Sequence, residues 1–100
     1  MKAEVFNQIV EAQLERCRKI LCLKAKEYAT EDRLHNFHVA AALEGITVTQ
    51  ALVGMMAKHT VSVYDMVMSG QSYPMELWDE KITDHINYLL LLKAAVEESE

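Results

Sequence analysis

The stretch Thr47-Val48-Thr49-Gln50, followed by Ala51 to Met68 and then by Ser69-Gly70-Gln71-Ser72-Tyr73-Pro74, decides the fold class. A threonine with glutamine three residues on is a capping box, in which each side chain satisfies a backbone N–H that the first helical turn leaves open. A helix is therefore expected from here to about Met68. Ser69 to Ser72 reads as the clearest loop of the chain. Pro74, the only proline, sits where first-turn prolines belong and opens a last helix to about Glu98. Thr60 to Val63 is β-branched, yet the periodicity on both sides is helical, so no strand is expected there.

Working outward toward the N-terminus, Gly45 reads as the C′ residue of a short helix from about Asp32 to Leu43. Thr30-Glu31-Asp32 supplies the break and a cap before it. A first helix is expected from about Ala3 to Ala29, because Phe6, Ile9, Val10, Leu14, Cys17, Leu21, Ala25 and Tyr28 recur at three- and four-residue steps, with Glu11, Glu15, Arg18 and Lys19 between them. Three long helices and one short helix predict an all-α antiparallel bundle forming one domain over residues 1–100. The run Tyr88-Leu89-Leu90-Leu91-Leu92 is apolar on more than one face of the last helix, and that surplus surface predicts a homo-oligomer.

Composition agrees and excludes several classes. Of 100 residues, 51% are apolar and 25% charged, with three glycines, which rules out a disordered tail or a collagen-like chain and disfavours an all-β fold. The net charge is −5 and the ten Lys and Arg are scattered, so no basic stripe points to a nucleic-acid polymer. A single nucleotide stays open, since a local pocket can be positive on an acidic protein. Cys17 and Cys22 are five apart on one expected helix and point to different faces, which disfavours a disulfide between them. His35, His38, His59 and His85 lack zinc-site spacing. Free thiols and the charged amphipathic start at Met1-Lys2-Ala3-Glu4 predict a cytoplasmic protein without a signal peptide. The longest apolar run is far too short for a membrane span.

Three polar clusters interrupt the apolar pattern. Lys24, Glu27 and Tyr28 precede Arg33, Asn36 and His38; Lys58 and His59 are followed by Ser62 and Asp65; Glu80, Lys81, Asp84, Asn87 and Tyr88 lie on the last helix. Carboxylates from facing helices would hold Mg²⁺ or Mn²⁺, Lys58 and Arg33 would neutralise phosphate oxygens, and Tyr28 or Tyr88 would stack on a base. The plain alternative is a set of solvated faces with i,i+4 ion pairs.

The ordered blocks Lys24-Ala25-Lys26-Glu27-Tyr28, Asp32-Arg33-Leu34-His35-Asn36-Phe37, Met56-Ala57-Lys58-His59 and Glu80-Lys81-Ile82-Thr83-Asp84-His85-Ile86-Asn87-Tyr88 span nearly two thirds of the chain. In that order they resemble small phage and prophage proteins grouped with the MazG-like all-α nucleotide pyrophosphatases. The resemblance implies a bundle that dimerises or tetramerises and a Mg²⁺-dependent attack of water on a nucleoside triphosphate, in the host cytoplasm if the chain is phage-encoded. Glu27 and Asp84 would then be catalytic, Glu27, Asp65 and Asp84 would hold the metal, and Arg33, Lys58, Asn87 and Tyr88 would bind the nucleotide. The superfamily pairs two carboxylates three apart on each of two helices. Here Glu80 and Asp84 are four apart, and nothing near Glu27 on the first helix completes a pair. A nucleotide-binding protein without turnover, such as a phage sponge for a nucleotide immune signal, is the alternative. A helical protein-contact oligomer is the third.

Overall fold

A computed structural model describes residues 1–23 and 32–99, Leu23 by its backbone alone. Four α-helices follow in order: α1 over Ala3–Arg18, α2 over His35–Glu44, α3 over Val48–Met68 and α4 over Met75–Ser99. All are packed against one another in an all-α fold, three long and one of ten residues.

The local signals at α3 act as expected. Thr47 Oγ1 accepts from the Gln50 N–H at 3.2 Å, and the Thr47 N–H donates to Gln50 Oε1 at 3.0 Å. Gly45 closes α2 at φ 69°, a left-handed conformation that costs a glycine little, and this turns the Ile46 N–H back onto the Ala41 carbonyl at 3.0 Å. The chain bends through 104° there. Thr60 to Val63 is helical. After Met68, Gly70 turns at φ 70° and the Ser69 hydroxyl bonds the Met66 carbonyl and the Tyr73 hydroxyl, each at 2.9 Å. Pro74 stands one residue ahead of α4, its carbonyl accepting from the Leu77 N–H at 3.0 Å.

Two helix ends differ from the sequence expectation. α2 opens at His35 rather than Asp32, because Asp32 takes the Leu34 N–H on its carboxylate at 2.9 Å and the His35 N–H on its carbonyl at 3.2 Å, which makes a turn before the helix. The first helix keeps α geometry only to Arg18 and then widens into a π turn over Lys19–Leu23. An outside donor, Nη2 of Arg33, bonds the Leu21 carbonyl of that turn at 2.9 Å. The expected continuation to Ala29 lies outside the described residues.

The core sits where α2 and α4 meet α3. Leu34, Phe37, Leu52 and Ala95 are buried together, with Val48, Met55, Tyr88, Leu91 and Leu92 packed around them. α1 joins from the other side by its C-terminal half alone: Gln13 Nε2 donates to Thr83 Oγ1 at 2.8 Å and Arg16 pairs with Asp79 at 3.6 Å. Of the apolar stripe expected on α1, Cys17 is buried and Val10 is half-buried, while Phe6, Ile9 and Leu14 stay exposed. The periodicity is real, but the side-chain ties from α1 to α4 among the described residues start at Gln13 and Arg16, beyond Phe6 and Ile9. The radius of gyration, 15.6 Å, exceeds the roughly 13 Å of a compact 100-residue chain.

Leu52 has no solvent exposure, so Leu52→Ala should destabilise the fold by about 2–5 kcal/mol. Thr47→Ala, which removes only the cap, should cost about 1 kcal/mol. Urea unfolding followed by far-UV circular dichroism checks both and their order.

Candidate functional site

α3 and α4 run antiparallel, and their polar residues meet along one edge. The Thr60 hydroxyl and His85 Nε2 share a hydrogen bond of 2.9 Å. One residue earlier, the His59 ring lies against Tyr88 with centroids 4.6 Å apart and planes 31° from parallel. Tyr88 in turn receives Phe37 edge-on at 6.2 Å, so an aromatic series leads from the core to the surface. Around His59 stand Asp84, Lys58, Lys81 and His85, all close enough to act on its charge. Neither lysine forms an ion pair among the described residues.

This environment holds the His59 pKa below its ordinary value of 6.5. Partial burial is the main cause, since it penalises the charged imidazolium. The Asp84 carboxylate pulls the other way, and Lys58, Lys81 and His85 repel the proton. His59 is therefore neutral at pH 7 and available as a hydrogen-bond partner.

The structure gathers Lys58, Asp84 and Tyr88 into this edge and places the other expected site residues that it describes elsewhere. Arg33 is engaged by the π turn at Leu21. Asp65 is exposed on α3, about 10 Å of helical rise beyond Lys58. Asn87 is turned inward, only 6% exposed, on the same face as Thr83 one turn earlier, and its Oδ1 has no hydrogen-bond partner among the described residues. Glu27 lies outside the described residues, with Lys24 and Tyr28.

The expected Mg²⁺ ligands Asp65 and Asp84 are not gathered into a group of three ligand atoms within 4.8 Å of one another among the described residues. One such group exists, and sequence reasoning missed it: Asp32, His38 and Glu98. His38 Nε2 lies 2.7 Å from Glu98 Oε1 and 3.7 Å from Asp32 Oδ2, fastening the start of α2 to the end of α4. His38 was visible in the sequence, but nothing local connects it with a glutamate sixty residues away. Also unforeseen is a groove of about 280 Å³ lined by Arg16, Lys19, Ile20, Asp79, Glu80 and Thr83. It exists because the π turn brings Lys19 and Ile20 over α4, a change of helical pitch that residue spacing did not signal.

Comparison with protein-family models, curated proteins and solved structures finds no match. The described residues establish an all-α four-helix protein, and its residues alone carry the functional reading.

Because the unfolded chain takes up the His59 proton near pH 6.5 and the folded chain only at lower pH, stability from this residue is complete above 6.5. It is lost as pH falls from 6.5 to the folded value and is constant below that. The wild type should therefore lose more stability than His59→Gln between about pH 7.5 and 5.5 in paired urea titrations. The His59 ring signal in proton NMR should titrate below 6.5, and lower still in Asp84→Asn.

Proposed function

We propose that the chain binds a phosphate-bearing nucleotide on the α3–α4 edge and holds it without cleaving it. The observation that carries this reading is a local reversal of charge. On a chain of net charge −5, the charged groups acting on His59 are Lys58, Lys81, His85 and a single carboxylate, Asp84, and neither lysine forms an ion pair among the described residues. Lys58 is exposed and Lys81 half-buried, and such ammonium groups suit phosphate oxygens. The His59 ring, backed by Tyr88, offers a flat face on which a base can stack. A bound phosphate would set an anion beside that ring, which favours its protonated form.

Binding is preferred over pyrophosphate cleavage for a chemical reason. Holding and activating a metal triphosphate needs several anionic ligands, and Asp84 is the one carboxylate acting on His59. The resemblance to MazG-like proteins supports the nucleotide as ligand class, with Lys58 and Tyr88 as the matched residues within the edge. Asn87 would act from behind, as a buried amide supporting Tyr88.

Phosphorus NMR of the protein at stoichiometric concentration, with canonical triphosphates and cyclic di- and trinucleotides, tests the reading. Shifted or broadened signals without new monophosphate or pyrophosphate peaks are expected, unchanged on removal of Mg²⁺. Lys58→Ala should weaken binding roughly ten- to hundredfold, since a charge-assisted contact contributes roughly 1.5–3 kcal/mol. Product peaks that vanish in Asp84→Asn would instead establish the hydrolase. A panel that leaves every signal unmoved sinks both.

A further inference from the structure

Three side chains from distant parts of the sequence converge where α2 begins and α4 ends. Nε2 of His38 lies 2.7 Å from Glu98 Oε1 and 3.7 Å from Asp32 Oδ2, and one ligand atom from each residue falls within 4.8 Å of the other two. As ion pairs the three are poorly matched. Nε2 carries at most one N–H, which serves one carboxylate, and a protonated imidazole sets one positive charge against two negative ones. A divalent cation among the three atoms meets both carboxylates and the nitrogen lone pair together.

The spacing is close to what such an ion needs. Zn²⁺ held at about 2.0–2.1 Å sets neighbouring ligand atoms of a tetrahedron about 3.3 Å apart. The observed 2.7 and 3.7 Å stand on either side of that value, so shifts of about half an ångström bring both pairs to it.

Each ligand also hangs from a position that the core holds. Asp32 Oδ1 accepts the Leu34 N–H at 2.9 Å, while Oδ2 is the oxygen that approaches His38. Outer hydrogen bonds of this kind orient metal-ligating carboxylates. Leu34 itself, Phe37 beside His38, and Ala95 one turn before Glu98 all belong to one buried cluster. Packing therefore fixes the backbone under every member of the group, as a preorganised site requires. The three side chains are 38–50% exposed, which leaves water free to complete the shell, as in open three-ligand zinc sites.

The geometry points to a binding site for one divalent transition-metal ion, best matched by Zn²⁺, at Asp32, His38 and Glu98, where the ion clamps the start of α2 to the end of α4. The imidazole nitrogen disfavours Mg²⁺ and Ca²⁺, which take oxygen ligands. The clamp closes a loop that contains α2, α3 and nearly all of α4, and an ion that binds the folded chain alone stabilises it. This site is separate from the α3–α4 edge, since Glu98 lies about 15 Å of helical rise beyond Tyr88. The two readings therefore stand or fall independently.

Isothermal titration calorimetry with ZnCl₂ should show one ion per chain with a Kd of roughly micromolar order. Excess Zn²⁺ should raise the thermal midpoint by at least about 5 °C, reversed by EDTA. Glu98→Gln and His38→Gln should each weaken binding at least about tenfold with helical circular dichroism unchanged. Cys22→Ser, which removes an exposed thiol outside the group, should bind as the wild type does. In proton NMR, Zn²⁺ should move the His38 ring signal and leave those of His59 and His85 in place. No heat up to about 100 μM Zn²⁺, binding that survives both substitutions in the group, or loss of binding in Cys22→Ser overturns the proposal. So does a titration that moves the His59 or His85 ring in place of His38, or Mg²⁺ binding as tight as that of Zn²⁺.

Discussion

Everything in this protein hangs on the burial of Leu52 between three helices. It has no exposed surface, and Leu34 just ahead of α2, Phe37 from α2 and Ala95 from α4 close around it. The two caps between α2 and α3 make that convergence available. Gly45 permits the sharp return between α2 and α3, and the Thr47–Gln50 box starts α3 in the right direction. Neither cap contributes more than about 1–2 kcal/mol, yet without their geometry the apolar faces of α2 and α3 would not meet.

From this core the fold passes directly to the candidate site. Phe37 rests edge-on against Tyr88, and Tyr88 supports His59 at the surface. The imidazole is thus held by core packing on one side and surrounded by Lys58, Lys81, Asp84 and His85 on the other. Burial from behind and cations at the side act together to keep it neutral. A histidine held this way has a fixed orientation and a charge that responds to what binds beside it.

The features legible in the sequence were the local ones. The capping box, the glycine stop, the Ser69–Ser72 break and the α3 periodicity each depend on residues a few positions apart, and each is found where the spacing places it. What spacing could not supply was the identity of the neighbour. The stripe through Phe6, Ile9 and Leu14 marks an apolar face correctly, yet whether a helix of the same chain covers it depends on where α1 meets α4. Asn87 shares its turn with Asp84, and the tilt of α4 against α3 decides that one faces inward and the other a polar edge. That Lys58 and Asp84 both act on His59 follows from the packing of α3 on α4, for which each sequence cluster supplied only half. The Asp32–His38–Glu98 group joins three distant positions, and the π turn is a change of pitch that no residue type announces.

The way α1 is attached has a kinetic consequence. α3 and α4 are joined by a loop of a few residues, so their contacts close a small ring at little entropic cost, and α2 lies next to α3 in the chain as well. The bond that fastens α1, from Gln13 to Thr83, bridges a separation of 70 residues. High contact order of this kind places α1 docking after the α2–α3–α4 unit has formed. α1 contributes one buried side chain, Cys17, and two polar ties to α4 among the described residues, and so few contacts favour its undocking as a sub-global opening. The groove beneath the π turn is bounded on one side by that last-arriving helix. Its depth is therefore set by an equilibrium that leaves the aromatic path from Phe37 to His59 untouched.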